Sequence, residues 1–339
     1  MRSLIIAVGV AVSSFVAVGA SWAENVTLRF SNWLPPTHYI VTEMIQPWMD
    51  SVEEATQGRV SFETSPALGA PAAHLDLVST GVADIAFVPH GYTPARFKLT
   101  ELGELPFTSD DAVTNSIAYW KTYNKFMLGA NEHRGVKLLS FWTTTPSQIF
   151  VSDPLTTLDQ LAGKKIRVTS PTLEKIADTL NLTSVSASAS EAYELMSRGT
   201  IDGTFFQSDS IVAFRLDEFT KGQINVPGGF IHSSQMLIMN PAKWEEISDA
   251  DQKAIEELSG ESMARKFASV WDAKAQEGDD VLAEAGVVVT EVSGSELEKL
   301  IDSLQYLRTD WVEEANKRGI DGQAALEYFE KLLDENAVE

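Results

Sequence analysis

The chain has 339 residues, 44% hydrophobic and 22% charged, a composition that fits a globular protein of about two domains. Its 48 acidic and 26 basic side chains leave a formal net charge of −22, which excludes the basic footprint that nucleic acid requires and disfavours anionic lipid. There is no cysteine, so disulfides, a thiol nucleophile and a lipid-modified cysteine are excluded.

Residues 1–23 read as a secretory signal. Arg2 gives a minimal positive start, Leu4 to Gly19 is an apolar core, and Ser21 and Ala23 are the small residues of a cleavage pattern. No later stretch approaches 18 apolar residues, so the mature chain is not expected to span a membrane, and the periplasm is the expected location. "VTLRFSN" then alternates as a strand and stops before Pro35-Pro36. A helix follows with Met44, Ile45, Trp48, Met49 and Val52 on one stripe, then a second strand, "RVSFETSPA". "HLDLVSTGVADIAFV" is a short helix, a glycine stop and a third strand. Alternating strands and helices are the grammar of an α/β unit with a mostly parallel sheet.

That grammar returns. "GVKLLSFW" and "KKIRVTS" are strands, and Ser170-Pro171 opens the helix "PTLEKIADTLN". "TSVSAS" is another strand, and "SEAYELMSRGTIDGTFFQS" repeats the helix, glycine and strand order of the first unit. After the strand "QMLIMN" the chain turns mostly helical. If continuous, the segment from Asp249 to about Ala285 spans roughly 50 Å and bridges two lobes, although Gly260 and Gly278 weaken it. "GVVVTEV" is a last strand, followed by two amphipathic helices.

No GxSxG, HExxH, Walker loop or strand-following GxGxxG occurs, and the five histidines have no metal-ligand spacing. An enzyme is therefore disfavoured, and neither metal nor cofactor is expected. What stands out lies at strand ends, where open α/β sheets bind ligands. These positions hold Asn32 and Trp33, His90 and Tyr92, Trp142 and Thr143, Thr169, then Phe205, Phe206 and Gln207, with His232 near a later strand. Aromatic walls with a few polar groups suit a small-molecule pocket. Ile166 and Val168 fit the buried face of a strand, so Arg167 between them points to the other. Its fork either pairs with one of the chain's own acids or grips a carboxylate from outside with two parallel hydrogen bonds.

"LAGKKIRV", followed about 25 residues later by "SEAYELMSRGTIDG", resembles the solute-binding proteins of tripartite ATP-independent periplasmic (TRAP) transporters. "PALGAPAAHLDLVSTGVADIAFV", "PARFKLTELGELPF", "GVKLLSFW" and "MNPAKWEEISDADQKAI" agree in order, so the likeness runs from about Val26 to about Glu314. The resemblance implies an α/β, two-lobed clamshell joined by crossing strands and a long helix. Lobe I is expected over 24–147 plus 236–276, and lobe II over 148–235 plus 277–330. It also implies that Arg167 pairs with the carboxylate of an organic acid, and that TRAP membrane subunits are the partners.

One departure matters. Many sialic-acid and C4-dicarboxylate binders of the family carry an asparagine a few residues after the "DG"; here the stretch is "DGTFFQSD", which puts Phe206 there. A second carboxylate or a polyol would meet an apolar ring. Another branch has "PWE" and "GGFGTSS" where this chain has "QSD" and "GGFIHSS". The expectation is a receptor for a monocarboxylate with an apolar or aromatic body. Arg167 anchors it; Asn32, Trp142, Thr143, Thr169 and Gln207 orient it; Trp33, Tyr92, Phe205 and Phe206 wall it in; His90 or His232 meets a hydroxyl or keto oxygen. The alternatives are a C4-dicarboxylate or sugar-acid binder, a receptor for a sensor kinase or ATP-driven importer, and a secreted enzyme.

Overall fold

The computed structural model describes residues 25–336; the expected signal, residues 1–23, lies outside them. The described strands are β1 (Val26–Asn32), β2 (Val60–Pro66), β3 (Ile85–Pro89), β4 (Lys137–Val151), β5 (Lys165–Val168), β6 (Thr183–Ser186), β7 (Gly203–Phe206), β8 (Gly222–Asn225), β9 (Ile231–Met239) and β10 (Val288–Glu291). They join in the order β2-β1-β3-β9-β4-β7-β5-β6, with β8 pairing β4 and β10 pairing β8. The β1–β2 and β1–β3 pairs are parallel, as are β5–β6 and β5–β7, each set with its own connecting helices. The repeated strand–helix grammar thus appears as two parallel clusters, tied by the antiparallel strands β4 and β9.

Strand β4 makes the tie. Its Lys137–Ser147 portion pairs with β9, and its end pairs with β7 through Gln148–Val151 and with β8 through Ile149–Val151. The sequence places the end of this strand at Trp142 and a hydroxyl-rich turn after it. The structure corrects that: the backbone stays extended through Thr143, Thr144, Thr145 and Pro146. A register shift between Thr143 and Pro146 accommodates the proline, which could not sit in an unbroken ladder. Gly229 crosses against this kink at φ 65°, where an added Cβ would lie 2.3 Å from Pro146 Cβ.

The long helical segment is divided. Asp249–Glu257 ends before Ser259, and Gly260, at φ 60°, opens a separate helix to Glu284. That 25-residue helix spans about 37 Å and packs on β4, on helix Ala112–Thr122 and on helix Ser208–Ala213. The stripe Met44, Ile45, Trp48, Met49 and Val52 is buried beside β1, β3 and the long helix, in the core of the first cluster. The last helices, Tyr306–Lys317 and Gly322–Asn336, pack against the turn Leu99–Glu104 and helix Ala112–Thr122, with Trp311 Nε1 donating to Leu99 O at 3.0 Å. The chain end therefore contacts residues that the sequence division places in lobe I. No helix among the described residues is long and apolar enough to cross a membrane.

Candidate functional site

A cavity of about 50 Å³ lies where the two strand clusters face each other beside β4. One enclosed water needs roughly 10–15 Å³ by a comparable measure, so the space suits a compact solute. From the β5–β7 side come Arg167, Thr169, Phe205, Phe206 and Gln207; from the β3–β9 side come Trp33, Phe87, Tyr92 and Gln235.

Arg167 is 1% exposed. Its Nε donates to Ala187 O at 3.1 Å and Ser188 O at 3.2 Å, and its Nη1 donates to Thr204 Oγ1 at 3.1 Å. The Phe206 ring centroid lies 4.6 Å from its central carbon. Among the described residues no carboxylate lies within ion-pair distance of it. Burial pushes its pKa down, opposed by Tyr92 and Glu191. A guanidinium cannot shed its proton in a protein, so the site holds a desolvated positive charge whose hydrogen-bond acceptors are all neutral, with Glu191 acting on it only from beyond ion-pair distance.

Tyr92 reaches this charge from the other cluster. Its hydroxyl oxygen accepts from Ala189 N at 2.7 Å, and burial raises its pKa, so it stays a neutral phenol with a proton to donate. Trp33 stacks on Phe87 at 5.6 Å and 14°, leans on Tyr92, and spends its indole N–H on Phe87 O at 2.9 Å. Gln207 leaves β7 and donates through Nε2 to Thr144 Oγ1 at 2.9 Å and Ser147 Oγ at 2.6 Å on β4. One end of the cavity is thus cationic, with donors beside it, and its walls combine flat aromatic rings with a few hydroxyl and amide groups.

Seven of the twelve sequence candidates line this cavity: Trp33, Tyr92, Arg167, Thr169, Phe205, Phe206 and Gln207. The other five do not, and each is held elsewhere. Asn32 closes a local turn, its Oδ1 accepting from Leu34 N and its Nδ2 donating to Leu34 O. Trp142 is fully buried between Phe87 and Phe267, behind the wall. Thr143 points to helix Ala112–Thr122, bonded to Asn115 and Ser116. Both follow from β4 running on: mid-strand side chains alternate between core faces and do not crown a strand end. His90 bridges Ser234 Oγ and His133 Nε2, each at 2.9 Å, on the far face of β3. His232 sets its ring nitrogens against Thr144 O at 2.7 Å and Ser109 O at 2.9 Å.

The chain matches the model of the bacterial extracellular solute-binding protein family 7 (DctP) over residues 30–314. It belongs to that family. A TRAP periplasmic solute-binding protein from Bordetella bronchiseptica, solved with bound (R)- and (S)-mandelate, is similar at 34% identity and TM-score 0.89, covering 91% of this chain and 99% of that one. A TRAP solute-binding protein from Rhodoferax ferrireducens, solved with copurified benzoate, is 26% identical with TM-score 0.85, covering 92% and 98%. The curated relative "Outer membrane transporter protein TsaT" from Comamonas testosteroni is 28% identical over 313 residues, covering 91% of this chain and 92% of its own length.

In this family 7 receptor several lining residues escape sequence reading. Phe87, Phe214 and Trp271 look like ordinary core aromatics, in a strand, just after a helix and in a helix. Thr144 and Ser147 fall where a turn was expected. Ser233 and Gln235 did carry a signal: they are polar at the positions of β9 that share a face with the apolar Leu237 and Met239.

Proposed function

We propose that this TRAP receptor captures an aromatic monocarboxylate in the periplasm and delivers it to TRAP membrane subunits, acting as a carrier and not as an enzyme. The observation that carries this reading is Arg167, a buried guanidinium with no carboxylate of the described residues within ion-pair distance, at one end of a compact aromatic cavity. A carboxylate there receives the remaining N–H groups of the fork and the Tyr92 hydroxyl, and its charge compensates the buried cation. Phe206, stacked near that fork, sets an apolar ring beside the anchor, which weighs against a second carboxylate or a polyol at that point. The bound mandelate and benzoate of similar receptors support the same class.

The test is calorimetry and thermal shift with benzoate, phenylacetate, mandelate and succinate. The aromatic acids are expected to bind and raise Tm, with succinate inert. Arg167→Lys is expected to lose about 100-fold or more in affinity, because an ammonium cannot reproduce the two-pronged contact. Equal binding by Arg167→Lys and wild type would refute the anchor.

A further inference from the structure

Gln235 lies on β9 opposite Pro89 of β3 and Trp142 of β4, lines the cavity and is 5% exposed. Its Nε2 donates to Ser233 Oγ at 2.9 Å and lies 3.4 Å from Ser233 O. A carbonyl oxygen only accepts, so that end of the amide is the NH2 group and the other is Oε1. Oε1 is buried and has no hydrogen-bond partner among the described residues. Buried amide oxygens are nearly always paired, so one left unpaired on a side chain that lines a binding cavity is an acceptor awaiting a donor.

We propose that Gln235 is a specificity determinant: its Oε1 accepts from a hydroxyl on the body of the ligand, so the preferred solutes are hydroxylated aromatic monocarboxylates. This rests on the reading of Arg167 as the carboxylate anchor. Arg167 belongs to the β5–β7 cluster and Gln235 to the β3–β9 cluster, so a solute with an anion at one end and an O–H at the other ties the two together. The parent acid without the hydroxyl makes the first contact and leaves the amide oxygen bare. Discrimination then comes from an unpaired polar group and not from added apolar area.

Calorimetry on matched pairs tests this: benzoate against 3-hydroxybenzoate, and phenylacetate against both mandelate and 3-hydroxyphenylacetate. In wild type at least one hydroxylated acid is expected to bind about tenfold or more tighter than its parent. In Gln235→Met, which keeps the side-chain length, that ratio is expected to fall to within about twofold while the parent acid still binds. The parent's binding shows that the variant is folded; should it not fold, Gln235→Leu is read in the same way. A wild-type ratio near one for every pair overturns the inference, as does a ratio that survives in the variant. If the acids bind without discrimination, only Gln235 falls. If none binds, the Arg167 reading fails and this inference goes with it.

Discussion

Arg167 and Glu104 are both buried, but only one of them can give up its charge. Glu104, 3% exposed, accepts from Ser234 N at 3.1 Å, and burial raises its pKa to about 7 against that bond. Between its ordinary value of 4.5 and about 7 the folded chain holds a proton that the unfolded chain has released. Stability therefore falls as pH rises through that window and levels off above it. Glu104→Gln keeps the acceptor and removes the titration, so its Tm is expected to fall less than that of wild type between pH 5 and pH 8. Comparing the two proteins at both pH values cancels the shared histidine contributions; parallel Tm curves would place the Glu104 proton elsewhere. At this scale the sequence was readable where local chemistry was simple. Arg167, flanked by the buried Ile166 and Val168, could face only one way, Tyr92 follows the short strand β3 closely, and Phe206 ends the short strand β7. Trp142 and Thr143 were misplaced because their positions depended on where β4 ends, and long-range pairing decides that.

Elements were legible when their signals were local. Ser170 caps the helix opened by Pro171, its side chain accepting from Leu173 N at 3.4 Å, and the apolar stripe at 44–52 is buried as its spacing predicts. The passage of β4 through Pro146 was not, because the kink is permitted only by the partner strand β9. Gly278 shows the same limit from the other direction. By propensity it weakens the helix Gly260–Glu284, and alanine would be expected to help by about 1 kcal/mol. In the fold an added Cβ would lie 2.5 Å from Asp209 N and 2.5 Å from the Ser208 carbonyl carbon. The glycine is what lets this helix meet the start of helix Ser208–Ala213, where the Ser208 hydroxyl donates to Asp279. Overlap with backbone cannot be relieved by a rotamer change, so Gly278→Ala is expected to destabilise by about 1–3 kcal/mol. Scanning calorimetry would register this as a Tm drop of several degrees; an increase in Tm would mean that the helices part without strain.

The whole molecule is a pair of strand clusters facing each other across a cavity whose walls come from both, so a solute is expected to enter as they separate. Several contacts span the closure: Ala189 N donates to Tyr92 at 2.7 Å, and Tyr39 Oη donates to the buried Asp209 at 2.6 Å. Gly91 makes a close backbone approach, since an added Cβ there would lie 2.6 Å from Thr169 O and 2.9 Å from Ser170 Cβ. Those atoms belong to the opposite cluster, just after β5, so the clash exists only while the molecule is closed. An alanine at this position burdens the closed state and leaves the open one alone. A ligand that binds by favouring the closed state must then overcome that burden, and every 1.4 kcal/mol of it weakens apparent affinity tenfold. Gly91→Ala is therefore expected to bind benzoate or mandelate about tenfold or more weakly, with the Tm of the unliganded protein within a few degrees of wild type. Calorimetry gives the affinity, and small-angle scattering at saturating ligand checks that the radius of gyration contracts less readily than in wild type. Unchanged affinity in Gly91→Ala would mean that the ligand-bound state does not require the approach of these two loops.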